Sequence, residues 1–364
     1  MTTHIRPHVT VADVRPRERG IARGEQLRAF LPGAVELYLR LFETVGVSER
    51  DTRDYADRIA DAIAAWDSSY AEEIAGIAAG SGLPTWQLMA LNGRTEILSQ
   101  ARSVQPECST IAVAPQGGAP YGVQTWDWHQ ELDPFWHTQS VSGTRHSFVG
   151  LTEHGILAKI GVNSAGLGLF FNILGHRDDA PGGVPVHVLA AAVLGEAATV
   201  AEALELLRAA PINTSGAFTL IDTEMAVCAE LSPLGVAVLS PVDGYLPHTN
   251  HFLDPVSAER EKPGLYEPDS QERRAMIVSR LRQDDEPAQA DDLLQYLYSE
   301  PGQPRLCCVP DPDAVFGDRW TTLATVLLEP AHRSARILAG SPLQARSGQW
   351  TSLLAGDTAS AVAQ

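Results

Sequence analysis

The sequence predicts an α+β protein built as a sandwich, in which β-sheets are covered by helices on their outer faces. The first third of the chain has apolar residues about every 3.6 positions, as in amphipathic helices. After residue 106, short alternating or β-branched segments recur in groups that are separated by pairs of helical segments. This order of strands, helices, strands, helices and strands favours sheets that are packed beneath helices.

Three helices are predicted before residue 100. The first covers residues 17–45, where apolar residues follow helical spacing. The second covers residues 53–79 and ends at the glycine-containing segment 80–82, a typical helix stop. The third begins near Pro84, since proline is favoured in the first turn of a helix.

The rest of the chain alternates between strands and helices. Strands are predicted at residues 109–114, 120–128, 147–151, 155–162, 167–173, 216–222, 225–231, 235–240, 322–329 and 334–339. Helices are predicted near residues 186–194, 200–209, 271–282 and 290–298. Residues 254–270 are rich in proline, glycine and charge, and we expect a surface loop there rather than a domain linker.

Charge and lysine content exclude several classes of function. The chain has 45 acidic and 27 basic residues, a formal charge of −18, which argues against nucleic acid and anionic membranes as partners. Lys159 and Lys262 are the only lysines, so Schiff-base chemistry is disfavoured, and no Gly-Lys-Ser/Thr phosphate loop occurs. The sequence shows neither a signal-peptide core nor an apolar run of about 18 residues, so we expect a cytoplasmic protein.

No arrangement of ligands in the sequence predicts a metal or a cofactor. The sequence lacks HExxH, paired CxxC and GxSxG motifs. His248 and His251 are three residues apart, but no cysteine or carboxylate in ligand spacing completes a metal site. The glycines within 161–168 do not have dinucleotide-binding spacing, and we expect them in a hairpin turn.

Cys108 is the candidate nucleophile among the four cysteines. Cys228 lies inside an apolar strand, and Cys307 and Cys308 are adjacent, so we expect these three to serve in packing. Cys108 follows Glu107 at the point where helical character changes to strands. On composition alone, a packing role for Cys108 remains an alternative.

Five short motifs follow one another along the chain. They are LNGRTE at 91–96, ECST at 107–110, GVQTWDW at 122–128, GVNSAG at 161–166 and HTNH at 248–251. In order and spacing they resemble the acyl-CoA:isopenicillin N acyltransferase family, whose members are N-terminal-nucleophile hydrolases. The resemblance covers roughly residues 20–340 and implies a four-layer αββα sandwich preceded by a helical pro-segment.

The resemblance also implies an inactive precursor that cuts its own bond between Glu107 and Cys108. Residues 1–107 would become a small subunit and residues 108–364 a large catalytic subunit, and the two fragments would stay associated as one structural domain. The new α-amine of Cys108 would then accept the thiol proton. This transfer is feasible because the ordinary pKa values of an α-amine and a thiol are roughly 7.7–8.0 and about 8.5.

Other site residues take their roles from the same resemblance. Asn250 would donate its side-chain amide to the developing oxyanion, a contribution of about 3 kcal/mol. Asp127 and Ser232 would orient the nucleophile or its amine, Arg319 would act in processing or binding, and Thr110 would support the turn at the nucleophile. Turn or surface roles remain open for Asp127, Ser232 and Arg319.

We therefore expect an enzyme that hydrolyses a small-molecule amide, or transfers its acyl group, through a Cys108 thioester. Glu107 and Asp318 stand where the penicillin-forming member has glycine and serine. Residues 1–107 hold 15 acids and 12 bases, and residues 108–364 hold 30 and 15, which favours a neutral or cationic amide over acyl-CoA. The alternatives are a CoA-dependent N-acyltransferase of isopenicillin N type and an uncleaved, non-catalytic binding protein.

Overall fold

Helices dominate the N-terminal part of the chain. The computed structural model describes residues 6–99, 108–263, 269–284, 286–300 and 302–356. The strand β1 (His8–Val11) is followed by α1 (Pro16–Gln26), α2 (Leu31–Thr44), α3 (Glu49–Trp66), α4 (Ser68–Ser81), α5 (Thr85–Asn92) and α6 (Arg94–Leu98). No helix within these described ranges is both long and apolar enough to cross a bilayer.

Two helices that the sequence predicts as continuous are each divided in the structure. Residues 17–45 contain α1 and α2, and residues 53–79 contain α3 and α4. The second break occurs at Asp67, whose extended backbone (φ −155°, ψ 107°) ends α3. Its carboxylate accepts a hydrogen bond from the Ser69 amide at 2.9 Å and so caps α4. Apolar spacing does not detect this break, because both helices keep apolar faces towards the core.

The remaining elements include strands that form two sheets. The strands are β2 (Ser109–Val113), β3 (Tyr121–His129), β4 (Trp136–Val141), β5 (Phe148–Glu153), β6 (Ile160–Asn163), β7 (Gly168–Ile173), β8 (Gly216–Ile221), β9 (Ala226–Ser232), β10 (Gly235–Leu239), β11 (Tyr245–His248), β12 (Trp320–Glu329), β13 (Ser334–Ala339) and β14 (Trp350–Leu354). Sheet A has the order β1-β4-β5-β6-β7-β8-β9-β10, and sheet B has the order β11-β2-β3-β12-β13-β14. The β1–β4 pair is parallel, and the other neighbouring strands are antiparallel.

Helices cover the outer face of each sheet. The helices of this part are α7 (Val186–Glu196), α8 (Val200–Ala209), α9 (Pro255–Ala258) and α10 (Asp269–Gln283), with 3-10 segments at Gln130–Phe135, Ala290–Leu297, Pro330–His332 and Pro342–Gln344. Helices α7 and α8 pack on sheet A, α10 and the 3-10 segment Ala290–Leu297 pack on sheet B, and the two sheets pack face to face. The molecule therefore has the αββα layers that the sequence led us to expect.

The register of β2 decides which of its side chains face the space between the sheets. Ser109 pairs with Thr125 across β2 and β3. Because side chains alternate along a strand, Cys108 and Ala112 face the inter-sheet core, whereas Ile111 faces the core beneath α10. The candidate nucleophile thus points between the two sheets.

Several strand predictions differ from the structure in extent. The predicted strand 155–162 is wrong in its first half, since Gly155 is in a left-handed turn (φ 86°) and β6 begins only at Ile160. The hairpin turn expected within 161–168 is confirmed, and its Gly166 has a φ of 88°. The predicted helix 290–298 is a 3-10 segment instead. The short strands β1, β4, β11 and β14 were not predicted.

Candidate active site

Cys108 lies immediately before β2 with its main chain held from two sides. Its carbonyl oxygen accepts hydrogen bonds from Asn172 Nδ2 at 3.0 Å and from Arg273 Nη1 at 3.1 Å. Asn172 belongs to β7 of sheet A, whereas Arg273 belongs to α10, and both side chains are fully buried. Cys108 is itself buried, with 3% of its surface exposed. The backbone at the candidate nucleophile is therefore fixed in position.

Thr110 supports Cys108 through Asn172. The Thr110 hydroxyl donates to Asn172 Oδ1 at 2.7 Å and accepts from Gln124 Nε2 at 2.8 Å. Gln124 Nε2 also lies 2.7 Å from the carbonyl oxygen of Phe171. These bonds fix the Asn172 amide with its nitrogen towards Cys108. Thr110 is therefore linked to the candidate nucleophile through Asn172.

Arg273 connects Cys108 to Asn250. Its Nη2 donates to Asn250 Oδ1 at 3.0 Å, and its Nη1 also donates to Ser109 Oγ at 3.0 Å. Its Nε donates to Asp269 Oδ2 at 2.5 Å, so the buried guanidinium has a carboxylate partner. Because Arg273 occupies the amide oxygen of Asn250, the amide nitrogen of that residue is fixed as the donor.

Asn250 has one amide hydrogen left for a ligand. Its Nδ2 donates to the carbonyl oxygen of Ile173 at 3.0 Å, and this bond uses one of the two N–H groups. No second acceptor for Nδ2 occurs among the residues that the structure describes. The side chain is fully buried and is linked to Cys108 through Arg273. Asn250 can therefore offer an N–H to an oxygen that enters this region.

Asp127 lies on the other face of sheet B from the Cys108 side chain. In β3 it is two residues beyond Thr125, the partner of Ser109, and it alternates with the inward-facing Trp126. Thr322 Oγ1 donates to Asp127 Oδ1 at 2.5 Å, and within the described ranges Oδ2 has no hydrogen-bond partner. Burial raises the pKa of Asp127 to about 7, against the hydrogen bond of Thr322 and the positive charge of Arg273.

The remaining predicted site residues have local partners or fall outside the described chain. Ser232 Oγ accepts from the Leu234 amide at 3.2 Å in the turn between β9 and β10. Arg319 is partly exposed, donates from Nε to the carbonyl oxygen of Ala314 at 2.8 Å, and lies 3.8 Å from a Glu131 carboxylate oxygen. These are the turn and surface roles that the sequence left open. Glu107 lies outside the described residues.

The two histidines considered as metal ligands have other partners. His248 Nε2 lies 2.8 Å from Glu230 Oε1, and His251 Nδ1 lies 2.8 Å from Ser270 Oγ. Although burial opposes it, contacts with Cys228 and Glu230 raise the pKa of His248 to about 10. In the described part of the chain, no group of three or more potential ligands could hold a metal ion. The His248–Glu230 pair instead anchors the segment that carries Asn250.

Sequence reasoning missed two buried polar residues at this site. Asn172 stands inside the apolar strand β7, and a buried polar residue in an apolar run was a usable signal. Arg273 gave no such signal, because α10 is polar along much of its length and an arginine there is typical of a solvated face.

Comparison with known proteins identifies the family. The family model described as acyl-coenzyme A:6-aminopenicillanic acid acyl-transferase matches residues 113–344, more than half of the chain. The chain belongs to this family, which confirms the resemblance found in the motifs. The 40 kDa form of acyl-coenzyme A:6-aminopenicillanic-acid-acyltransferase from Emericella nidulans is 29% identical over 199 residues, 50% of this chain and 52% of that protein. The chain thus spans about half the length of this curated relative.

Two solved structures have a limited likeness to the chain. A variant of conjugated bile acid hydrolase from Clostridium perfringens has a TM-score of 0.47 and 13% identity, covering 68% of this chain and 92% of that chain. The Caenorhabditis elegans ortholog of N-acylethanolamine-hydrolyzing acid amidase has a TM-score of 0.43 and 14% identity, covering 61% of this chain and 93% of that chain.

Proposed function

We propose that this protein cuts its own Glu107–Cys108 bond and then acts as a cysteine amidohydrolase or acyltransferase on a small-molecule amide. The observation that carries the proposal is the hydrogen bonding of the Cys108 carbonyl to Asn172 and Arg273, which fixes a buried thiol at the head of a strand. Rigid placement of a reacting group is a large part of enzymatic rate enhancement. Membership of an acyl-transferase family agrees with this chemistry.

The only reactants of the self-cleavage step are Cys108, the Glu107–Cys108 peptide bond and water. The Cys108 sulfur adds to the carbonyl carbon of Glu107, the peptide C–N bond breaks, and the proton lost by the thiol passes to the nitrogen, which becomes the α-amine of Cys108. Water then attacks the resulting thioester, which releases the Glu107 carboxyl group and restores the thiol. The products are two chains, and the second begins with a residue that carries both a thiol and an amine.

Turnover would use the same sulfur on an external amide. The α-amine accepts the thiol proton, and the sulfur adds to the substrate carbonyl. The unused N–H of Asn250 would stabilise the oxyanion, a contribution of about 3 kcal/mol for one such donor. The α-amine returns its proton to the nitrogen of the substrate amide, whose C–N bond breaks so that the product amine leaves. Water or an acceptor amine then attacks the thioester and restores the thiol. Asp127, with a pKa near 7, would orient the new α-amine and exchange a proton with it.

Acyl transfer from CoA is the second candidate function. The description of the family and of the curated relative from Emericella nidulans favours it, since both are named as acyl-CoA acyltransferases. Against it, residues 108–364 contain 30 acids and 15 bases, and anionic CoA phosphates prefer a basic surface. We therefore place hydrolysis of a neutral or cationic amide first.

A denaturing gel with intact-mass measurement tests the self-cleavage. The wild-type protein of 39.1 kDa should yield fragments of about 11.5 and 27.6 kDa, in proportion to 107 and 257 residues. Cys108→Ala should remain a single chain, because the attacking sulfur is lost. Cys307→Ala, a control that removes another buried thiol, should still be cut. A wild-type chain that stays intact after long incubation would instead support the uncleaved binding protein.

The cut protein then distinguishes hydrolysis from transfer. We expect free acid to appear from a panel of acyl-amines, with no dependence on an added amine. If acyl-CoA reacts only in the presence of an acceptor amine and yields a new amide, the CoA-dependent candidate replaces hydrolysis. Cys108→Ala provides the baseline for both panels.

A further inference from the structure

Lys159 is a lysine inside the core of the molecule. It stands directly before β6 and is 2% exposed. Burying an ammonium group costs several kcal/mol unless partners compensate its charge. The chain has only two lysines and places one of them here. The mechanism set out above does not use it.

Glu153 of β5 is the carboxylate partner of Lys159. Lys159 Nζ lies 2.9 Å from Glu153 Oε1, and the Arg94 Nη2 atom lies 2.6 Å from the same oxygen. The Tyr38 hydroxyl donates to the other oxygen, Oε2. Although burial opposes it, the charges of Arg94 and Lys159 hold the pKa of Glu153 well below its usual range. Glu153 is therefore ionised, and its charge favours the ammonium form of Lys159, although burial lowers the pKa of Lys159 below its ordinary value.

Three aromatic rings lie near the ammonium group. Lys159 Nζ lies 4.6 Å from the ring centroid of Trp126, 5.6 Å from that of Phe171 and 5.8 Å from that of Trp128. An ammonium donates three hydrogen bonds, yet in the described part of the chain Glu153 is its one acceptor. Among the described residues, Lys159 thus has N–H donors that this hydrogen bond does not use.

Cys108 lies next to one of these rings. Ser109 pairs with Thr125, so Trp126 is the cross-strand neighbour of Cys108, and both face the inter-sheet core. Cys108 and Lys159 also interact electrostatically. Burial lowers the pKa of Lys159, and the interaction with Cys108 opposes this by raising it.

We propose that the Lys159 ammonium is the electrostatic partner of the Cys108 sulfur and stabilises its thiolate, both in the uncut chain and during turnover. This inference rests on the proposed role of Cys108 as nucleophile. The uncut chain has no α-amine to remove the thiol proton, so the attacking thiolate must be favoured by its surroundings. A positive charge nearby in a buried site does this by lowering the thiol pKa. Lys159 transfers no proton in this role. Its positive charge acts only by stabilising the Cys108 thiolate.

Other ionisable groups face the same region and must be held constant in a test. They are Tyr38 on α2, Arg94 on α6, Glu153 on β5, His187 on α7 and Arg273 on α10. Burial holds the pKa of His187 well below its usual range, so it is neutral. Arg94 shares Glu153 with Lys159, and its charge adds to that of Lys159.

The ultraviolet absorbance of the thiolate measures this effect without requiring a reagent to enter the core. The difference between a protein and its Cys108→Ala counterpart, followed over pH, gives the ionisation midpoint of Cys108 alone. We expect Lys159→Met to raise the midpoint by about one to two pH units. Lys159→Arg, which keeps the positive charge, should leave it within about half a unit.

Lys262→Met is the matched control, since it removes the other lysine. Lys262 Nζ donates to the carbonyl oxygen of Ser99, and we expect no change in the Cys108 midpoint. A Lys159→Met midpoint equal to that of wild type would overturn the inference. If Lys159→Met does not fold, a wild-type midpoint at or above the ordinary thiol value of about 8.5 overturns it equally. Uncut, inactive wild type with a depressed midpoint would refute the proposed function while supporting the role of Lys159.

Discussion

Arg273 connects the candidate nucleophile to the candidate oxyanion donor. One guanidinium contacts the carbonyl of Cys108 and the amide oxygen of Asn250, while Asp269 balances its charge. The group is planar and presents its N–H donors in a fixed fork, so the two partners cannot move independently. A lysine could not make the same set of bonds. Arg273 therefore couples the position of Cys108 to that of Asn250, in addition to the pairing of β11 with β2.

The raised pKa of Asp127 predicts a pH-dependent stability. Its pKa of about 7 in the folded protein exceeds the ordinary value of 3.8, because burial disfavours the charged form. Between these values the folded state binds more protons than the unfolded state, so the free energy of unfolding falls as pH rises. In a Cys108→Ala background, Asp127→Asn should gain stability relative to its parent between pH 4.5 and pH 8, by at most about 4 kcal/mol.

Urea unfolding at the two pH values measures this difference. Asp243→Asn, a control at an exposed turn position, should show a much smaller change. An equal stability gap between Asp127→Asn and its parent at both pH values would contradict the prediction.

At the scale of residues, the sequence identified groups that stand in recognisable motifs. Cys108, Thr110 and Asn250, which were named from their motifs, are linked in the structure through the contacts of Asn172 and Arg273. Arg273 could not be found in this way, because its importance arises from burial against a sheet that is distant in sequence. The local sequence indicates on which face of a helix a residue lies. It does not indicate which distant element packs against that face.

The packing of α1 against α4 depends on glycines. Gly20 and Gly24 of α1 face Gly76 and Gly80 of α4. A methyl group added at Gly76 would lie 2.2 Å from the carbonyl oxygen of Arg17, closer than any real contact. The two helices therefore touch backbone to backbone, and the buried Arg19–Glu73 ion pair at 2.7 Å lies beside this contact.

Gly76→Ala should force α1 and α4 apart. We expect a loss of stability of about 1–3 kcal/mol, as is typical of overpacking, visible as a lower urea midpoint in a Cys108→Ala background. Gly356→Ala is the control, since among the described residues no atom outside its chain neighbours lies within 4 Å of the added methyl group. A Gly76→Ala protein as stable as this control would show that the helices separate at no cost.

At the scale of elements, the periodicity of apolar residues and the turn residues predicted those elements that the local sequence determines. The helices and the β6–β7 hairpin belong to this group. The break at Asp67 was missed because one extended residue does not disturb the apolar spacing. The strands β1, β11 and β14 were missed because short segments become strands only through the neighbours with which they pair.

The helical N-terminal part and the sheets form one body. Strand β1 joins the edge of sheet A, and Arg23 of α1 donates to Gln139 of β4. The Trp128 indole of β3 donates to the Tyr38 hydroxyl of α2 at 3.0 Å. Each of these contacts joins a residue before the Glu107–Cys108 bond to a residue after it. Cutting that bond removes none of them.

The two fragments should therefore remain together after cleavage. On size exclusion under native conditions, we expect the cut protein and the uncut Cys108→Ala chain to elute at the same volume. Only denaturant should separate the fragments, because the shared core must open first. A small fragment that elutes alone without denaturant would show that these contacts are too weak to hold it.

At the scale of the whole molecule, the fold class and the family could be predicted because the order of elements and motifs can be read directly from the sequence. The pairing of distant strands could not be predicted in this way. Ser109 meets Thr125 locally, but Asn172 reaches Cys108 only because sheet A packs on sheet B. Contacts between layers depend on the assembled core, and no short stretch of sequence contains them.

The parallel pairing of β1 with β4 also constrains the order of events during synthesis. His8 and its partner Thr138 are 130 residues apart. At ribosomal rates of about 5–20 residues per second, β1 emerges roughly 6 to 26 seconds before its partner strand exists. During that interval the nascent chain can form helices but cannot complete the edge of sheet A. Strand β1 is thus synthesised long before the one strand with which it pairs.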